Sequence, residues 1–130
     1  MQIVRIKETC LYVQNLQTTS YFYHHIIGLP VISFIADRHV FFRAGESVLL
    51  CFIATTTEQE KELPPHGAYG TIHFAFEVEQ SEYDTAVEEI KRNGIVILHE
   101  HIWKNKRRSF YFHDPDKHLV EIIEAGIWEG

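Results

Sequence analysis

A chain of 130 residues, 45% hydrophobic and 23% charged, has the size of one ordinary domain with a real core. Its formal charge of −6 excludes general nucleic-acid binding, which uses a basic face. No apolar run reaches the roughly 20 residues of a membrane helix, and the opening MQIVRI shows no signal-peptide pattern. Cys10 and Cys51, each inside an apolar segment, read as free buried thiols of a reducing compartment, so a cytoplasmic protein is expected.

Residues 2–14 alternate as a strand, with Thr9, Leu11 and Val13 on one face and Glu8, Cys10 and Tyr12 on the other. Asn15 then caps a helix that carries Leu16, Tyr23, Ile26 and Ile27 at helical spacing and stops at Gly28 and Pro30. Residues 31–36, 39–44 and 47–54 read as short strands with turns at Asp37-Arg38 and Gly45-Glu46. The stretch TTTEQEKELPPHGAYG is polar and broken by Pro and Gly, which predicts a linker or flexible loop over 55–70. The pattern then restarts. A strand at 71–79 leads to a helix opened by Ser81, with Tyr83, Val87 and Ile90 inward, which ends at Asn93-Gly94. Strands at about 95–102, 107–113 and 118–124 follow, the last two joined by the turn composition Asp-Pro-Asp-Lys.

Both halves therefore read strand–helix–strand–strand–strand, an internal repeat of a βαβββ module. The predicted fold class is α+β, with module 1 over about 1–54 and module 2 over about 71–130 of a single domain, strands curving around a cleft. Setting ETCLYV over HFAFEV pairs Glu8 with His73, and setting AGESVLLCFI over PDKHLVEIIE pairs Leu50 with Glu121. Three of these four repeat-related positions carry metal-capable side chains. A mid-strand carboxylate among apolar neighbours is costly unless it is paired, protonated or metal-bound. Glu8, His73 and Glu121 form a nitrogen/oxygen donor set suited to Mn, Fe, Co, Ni or Zn, and three protein ligands leave coordination positions open for substrate. Other histidines are left without a role here. His24 and His25 point apart on a helix, whereas His99 and His101 alternate onto one strand face. Lys104, Lys106, Arg107 and Arg108 form the one basic cluster, read as a solvated turn or as a gate for an anionic substrate.

The segments ETCLYVQNLQTTSYFYHHIIGLPV, TIHFAFEV and SFYFHDPDKHLVEI resemble the vicinal-oxygen-chelate superfamily, which includes glyoxalases, extradiol dioxygenases, fosfomycin-resistance enzymes and bleomycin-resistance proteins. The resemblance spans the chain through Phe22, Tyr23, Gly28 and Leu29 and through the Tyr111–Asp116 element. It implies a glyoxalase/bleomycin-resistance/dioxygenase-like fold, a divalent metal held at Glu8, His73 and Glu121, and a substrate contact at Tyr111. It further implies a metal-dependent lyase or isomerase acting on a small oxygenated molecule, with Glu121 or Glu8 as general base, and a homodimer. Thiol or water addition to an epoxide is the alternative chemistry, and a metal-free small-molecule binding protein, whose flat ligand aromatics such as Phe34, Phe41, Phe52 and Trp103 would suit, is the alternative class. The departures are Glu8 where histidine is commonest, Leu50 where glyoxalases place a fourth ligand, Lys117 where glycine follows the DPD turn, and no basic residues downstream of Glu121.

Overall fold

The computed structural model describes residues 1–129 as two compact units, one over Met1–Gly70 and one from Thr71 onward. The first unit runs β1 (Glu8–Tyr12), α1 (Leu16–Ser20), β2 (Val31–Ile35), β3 (His39–Ala44), β4 (Ser47–Phe52) and the short α2 (Ala54–Thr57). The second runs β5 (His73–Val78), α3 (Tyr83–Arg92), β6 (His99–Ile102), β7 (Arg108–His113) and β8 (Leu119–Glu124). Each unit holds one four-stranded mixed sheet, ordered β1-β4-β3-β2 and β5-β8-β7-β6. In each, the first strand lies parallel to the fourth and the other pairings are antiparallel.

Register makes the repeat concrete. Cys10 opposes Leu50 on β1/β4, and Ala75 opposes Glu121 on β5/β8. Glu8 and His73 each stand two residues before those partners, so they occupy matching positions on matching faces. Opposite faces of both sheets make the cores. In the first unit Leu11, Val40, Phe42, Leu49 and Cys51 are buried together with Leu16, Phe22 and Tyr23, and the Tyr23 ring meets Phe42 at 5.7 Å. In the second unit Phe110, Phe112, Val120 and Ile122 are buried with the helix residues Tyr83, Val87 and Ile90. Each fully buried ring or branched aliphatic contributes about 1.5–3 kcal/mol.

Local chemistry fixes the ends of these elements. Asn15 Oδ1 accepts from the Thr18 amide, the predicted cap, at 2.9 Å. Asp114 Oδ1 accepts from the amides of Asp116 and His118, both at 2.9 Å, and closes the β7–β8 turn. Lys117 takes φ +69° in that turn, the left-handed conformation glycine adopts freely.

Several boundaries differ from the sequence reading. The helix predicted through Ile27 is α-helical only to Ser20 and continues as a π-turn over Tyr21–Ile26, with Ile27 N–H reaching Phe22 O at 3.0 Å. That wider turn accompanies burial of the neighbours Phe22 and Tyr23 together. The first strand starts at Glu8 rather than residue 2, because the ladder begins where Val48 N–H reaches Lys7 O; Ile3, Val4 and Ile6 stay exposed. The second helix starts at Tyr83, after a 3-10 turn over Gln80–Glu82. Strand β6 is shorter than predicted because Val96 and Leu98 face solvent, although Leu98 N–H still reaches Tyr111 O at 2.8 Å. Within 55–70, two bonds between Thr57 and His66 fold the segment on itself, and Tyr12 OH to His66 Nδ1 at 2.7 Å, Thr56 Oγ1 to Asp37 O at 2.6 Å and the Arg38–Glu60 pair at 2.6 Å tie it to the first unit.

Candidate functional site

The face of the second sheet opposite α3 carries its chemistry. Strand pairing places His73 on β5, Glu121 on β8, Ser109, Tyr111 and His113 on β7, and His99 and His101 on β6 on that one face. Glu121 is directly opposite Tyr111, which is directly opposite His99.

Glu121 and His73 meet here. Glu121 is 5% exposed, and its Oε1 lies 3.2 Å from His73 Nε2. Its Oε2 is buried without a hydrogen-bond partner. The other ring nitrogen of His73, Nδ1, lies 3.0 Å from the Leu119 carbonyl oxygen. A carbonyl only accepts, so Nδ1 carries a proton, and Nε2 faces the carboxylate either as the N–H of an imidazolium ion pair or as a lone pair that shares a cation with it. Two acceptors facing each other at that distance need a second proton or a cation between them. A histidine ligand whose far nitrogen is held by a backbone carbonyl is the usual support of a metal-binding imidazole. The imidazole nitrogen and the unsatisfied carboxylate therefore fit a divalent metal such as Mn, Fe, Co, Ni or Zn.

Tyr111 borders this pair, its ring 6.0 Å from that of His73. Burial raises its pKa; the Ser109 hydroxyl opposes that and the Glu121 carboxylate adds to it, so the phenol keeps its proton at neutral pH and can donate. Glu8, the remaining candidate, is exposed on β1 of the first unit. Among the described residues no three His, Cys, Asp or Glu side chains gather into a metal-sized cluster. The structure thus brings His73, Glu121 and Tyr111 together on one face of the second sheet, and Glu8 belongs to the first unit.

Three features were not anticipated. His113, on the face that strand alternation gives it with Tyr111, has a buried Nδ1 without a partner. Trp103 donates from Nε1 to Ser109 Oγ at 3.1 Å, and Ser109 Oγ lies 3.5 Å from the Tyr111 hydroxyl. On the matching face of the first sheet, Tyr12 OH lies 2.7 Å from His66 Nδ1, Phe52 meets the His66 ring edge-on at 4.7 Å, and His39 stacks on Phe41 at 3.8 Å. His66 falls in a polar, Pro- and Gly-broken segment, and only its parity with no strand at all hides it from pattern reading.

The family model of the glyoxalase-like domain matches residues 6–125. The chain belongs to the glyoxalase-like family, within the vicinal-oxygen-chelate superfamily. This glyoxalase-like chain is 25% identical over 115 residues to a glutathione transferase, FosA, of Serratia marcescens, covering 86% of the chain and 74% of the relative. It is 26% identical to a metallothiol transferase, FosB, of Staphylococcus epidermidis, over 94% of the chain and 82% of the relative. A solved lactoylglutathione lyase from Agrobacterium tumefaciens superposes with a TM-score of 0.94 at 30% identity, over 100% of both chains. The α+β fold with its paired mixed sheets is thus the glyoxalase/bleomycin-resistance/dioxygenase-like fold. No helix among the described residues is long and apolar enough to cross a membrane.

Proposed function

We propose that this glyoxalase-like protein is a metal-dependent enzyme of the lyase or isomerase type that acts on a small oxygenated substrate. The observation that carries the proposal is the close approach of His73 Nε2 and Glu121 Oε1 beside the orphaned Glu121 Oε2. Glu8 is proposed as the third protein ligand, because it holds on β1 the register position that His73 holds on β5. A divalent ion bound by these residues would polarise two vicinal substrate oxygens.

The chain's own groups supply the rest. Glu121, buried and unsatisfied at Oε2, is suited to take a proton from a substrate carbon next to a carbonyl. Tyr111, protonated at neutral pH, donates a hydrogen bond to an oxygen on which negative charge develops. The Leu119 carbonyl holds His73 in one tautomer. The single domain is proposed to work as a homodimer in the cytoplasm. Cys51 is buried as expected and Cys10 is exposed, and among the described residues neither forms a disulfide, which supports that compartment.

Likeness to two thiol transferases favours a second chemistry, addition of a thiol to an epoxide, in which an ion held by the same residues would polarise the epoxide oxygen. The lyase reading ranks first because the lyase relative matches at higher identity over the whole chain.

The decisive experiment is elemental analysis of protein purified without added metal or chelator, wild type beside Glu121→Ala. About one transition-metal ion per chain in wild type, lost in the variant, is expected. Absence of metal, together with no rise in melting temperature on adding Mn²⁺, Ni²⁺, Co²⁺ or Zn²⁺, overturns the enzyme reading in favour of a metal-free binding protein.

A further inference from the structure

The sheet face that carries His73 and Glu121 does not end at Tyr111. From His73 a continuous row of rings runs outward. His73 to Tyr111 is 6.0 Å between centroids, Tyr111 to His99 5.9 Å, His99 to His101 5.7 Å and His101 to Trp103 4.5 Å. All spacings lie in the range of ring–ring contact. The outer half of the row is open to solvent: His99 and His101 are exposed on the edge strand β6, and Trp103 is 38% exposed.

The indole is anchored rather than loose. Its Nε1 donates to Ser109 Oγ at 3.1 Å, and Ser109 is fully buried. Backbone bonds between Trp103 and Arg107 (Trp103 N–H to Arg107 O at 2.8 Å) and from Lys106 N–H to Trp103 O at 2.9 Å pin the turn in which it starts. An aromatic side chain held by its one polar atom, with carbon faces left toward water, is preorganised to stack. Immediately after it, Lys104 and Lys106 stand exposed at the turn tip. Four residues of extended chain separate His99 from Trp103, about 13 Å at the strand rise.

We propose that the His99–His101–Trp103 strip is a binding subsite for a planar aromatic group bearing an anionic substituent, the non-reacting portion of the substrate. The rings take the flat part, and Lys104 and Lys106 take the charge. This deepens the metal-enzyme reading and rests on it for the direction of the ligand, because the strip begins at the His73–Glu121 pair. A second copy of the chain covering the strip is the competing occupant. Exposed Lys104 and Lys106, a local positive charge next to the strip, favour the small anion.

The test uses full-length protein stripped of metal by chelation, so that it is independent of the metal site. The probe is 1-naphthoate. The readouts are the indole N–H resonance of Trp103, assigned by its loss in Trp103→Phe, and calorimetric affinity. Saturable movement of that resonance is expected, with affinity falling about three- to tenfold in His101→Ala and in the double variant Lys104→Ala/Lys106→Ala. Cyclohexanecarboxylate, which keeps the charge but not the plane, and 2-naphthalenemethanol, which keeps the plane but not the charge, are expected to bind several-fold more weakly. His101 is exposed on an edge strand, so His101→Ala leaves the core intact and keeps the test informative if Trp103 variants fold poorly. No saturable shift, an affinity unchanged by His101→Ala, or an indole resonance that depends on protein concentration overturns the subsite. Naphthoate binding in a protein that takes up no metal overturns the metal reading alone and leaves the strip standing.

Discussion

The two sheets share strand order and pairing, yet among the described residues the strand side chains with buried unpartnered polar atoms, His113 and Glu121, both lie on the second. In the first unit His39 is fully accounted for. The Arg38 guanidinium donates to Nδ1, which fixes the proton on Nε2, and that nitrogen donates to Ser33 Oγ at 2.9 Å. Burial, and then the Arg38 charge, push its pKa down, with Glu60 opposing, so the ring stays neutral. Arg38 in turn pairs with Glu60 at 2.6 Å and lies over Phe52. Position 50 of that unit holds leucine. In the second unit the equivalent position holds Glu121, whose Oε2 has no partner and whose Oε1 lies 3.2 Å from His73 Nε2. A repeated fold thus leaves both halves equally able to pack, while a few side chains on one face give the second half its unpaired carboxylate oxygen.

That contrast can be broken from either side. Glu121→Leu, which gives the second unit the residue of the first, is expected to abolish metal uptake and any turnover while stabilising the metal-free protein by about 1–3 kcal/mol; urea unfolding with and without chelator separates the two effects. Leu50→Glu makes the reverse exchange beside Cys10 and Phe41. Here a half-buried carboxylate gains no imidazole partner, and a loss of about 1–3 kcal/mol is expected by the same measurement.

The opposite face of the second sheet sharpens the point, because there a buried carboxylate is satisfied. Glu124 is held by Arg108, whose side chain also reaches Asp84 at 2.9 Å and lies over the Tyr83 ring at 4.2 Å. The Arg108 hydrogen bond, stronger than the opposing burial, holds the Glu124 carboxyl below its ordinary range. A depressed folded-state pKa contributes stability above the ordinary glutamate range, and that contribution is lost as pH falls through the folded value. Glu124→Gln is therefore expected to cost about 1–2 kcal/mol at pH 7 and to flatten the acid limb of a stability-versus-pH curve. The smallest effect belongs to Tyr12→Phe. Loss of its bond to His66 is expected to cost about 1 kcal/mol and to leave metal content unchanged.

Much of this architecture is readable in the sequence because its signals are local. The Asn15 cap, the Asp-Pro-Asp-Lys turn and the alternation through β7 and β8 each act over a few residues, and the two halves repeat them in order. His73 and Glu121 draw attention as polar groups in apolar strands. What pattern cannot carry is contact made by an irregular segment, such as His66 against Tyr12 and Phe52. Nor does spacing reveal a helix that widens to a π-turn, since Tyr21–Ile26 contains ordinary helix-compatible residues. The anchoring of Trp103 by Ser109 depends on strand register, which the sequence leaves open until the β6–β7 pairing is known.

Strand order also bears on how the chain is made. Every pairing of the first sheet, including the parallel β1–β4 contact, closes within residues 8–52, and the bonds of Thr57 to His66 complete that unit before Gly70. As the chain leaves the ribosome, the first half has all its ladder partners while the second is still being synthesised, and domains of this kind fold as units in that order. The half that carries the unsatisfied carboxylate is synthesised last, after the first sheet has found its structure.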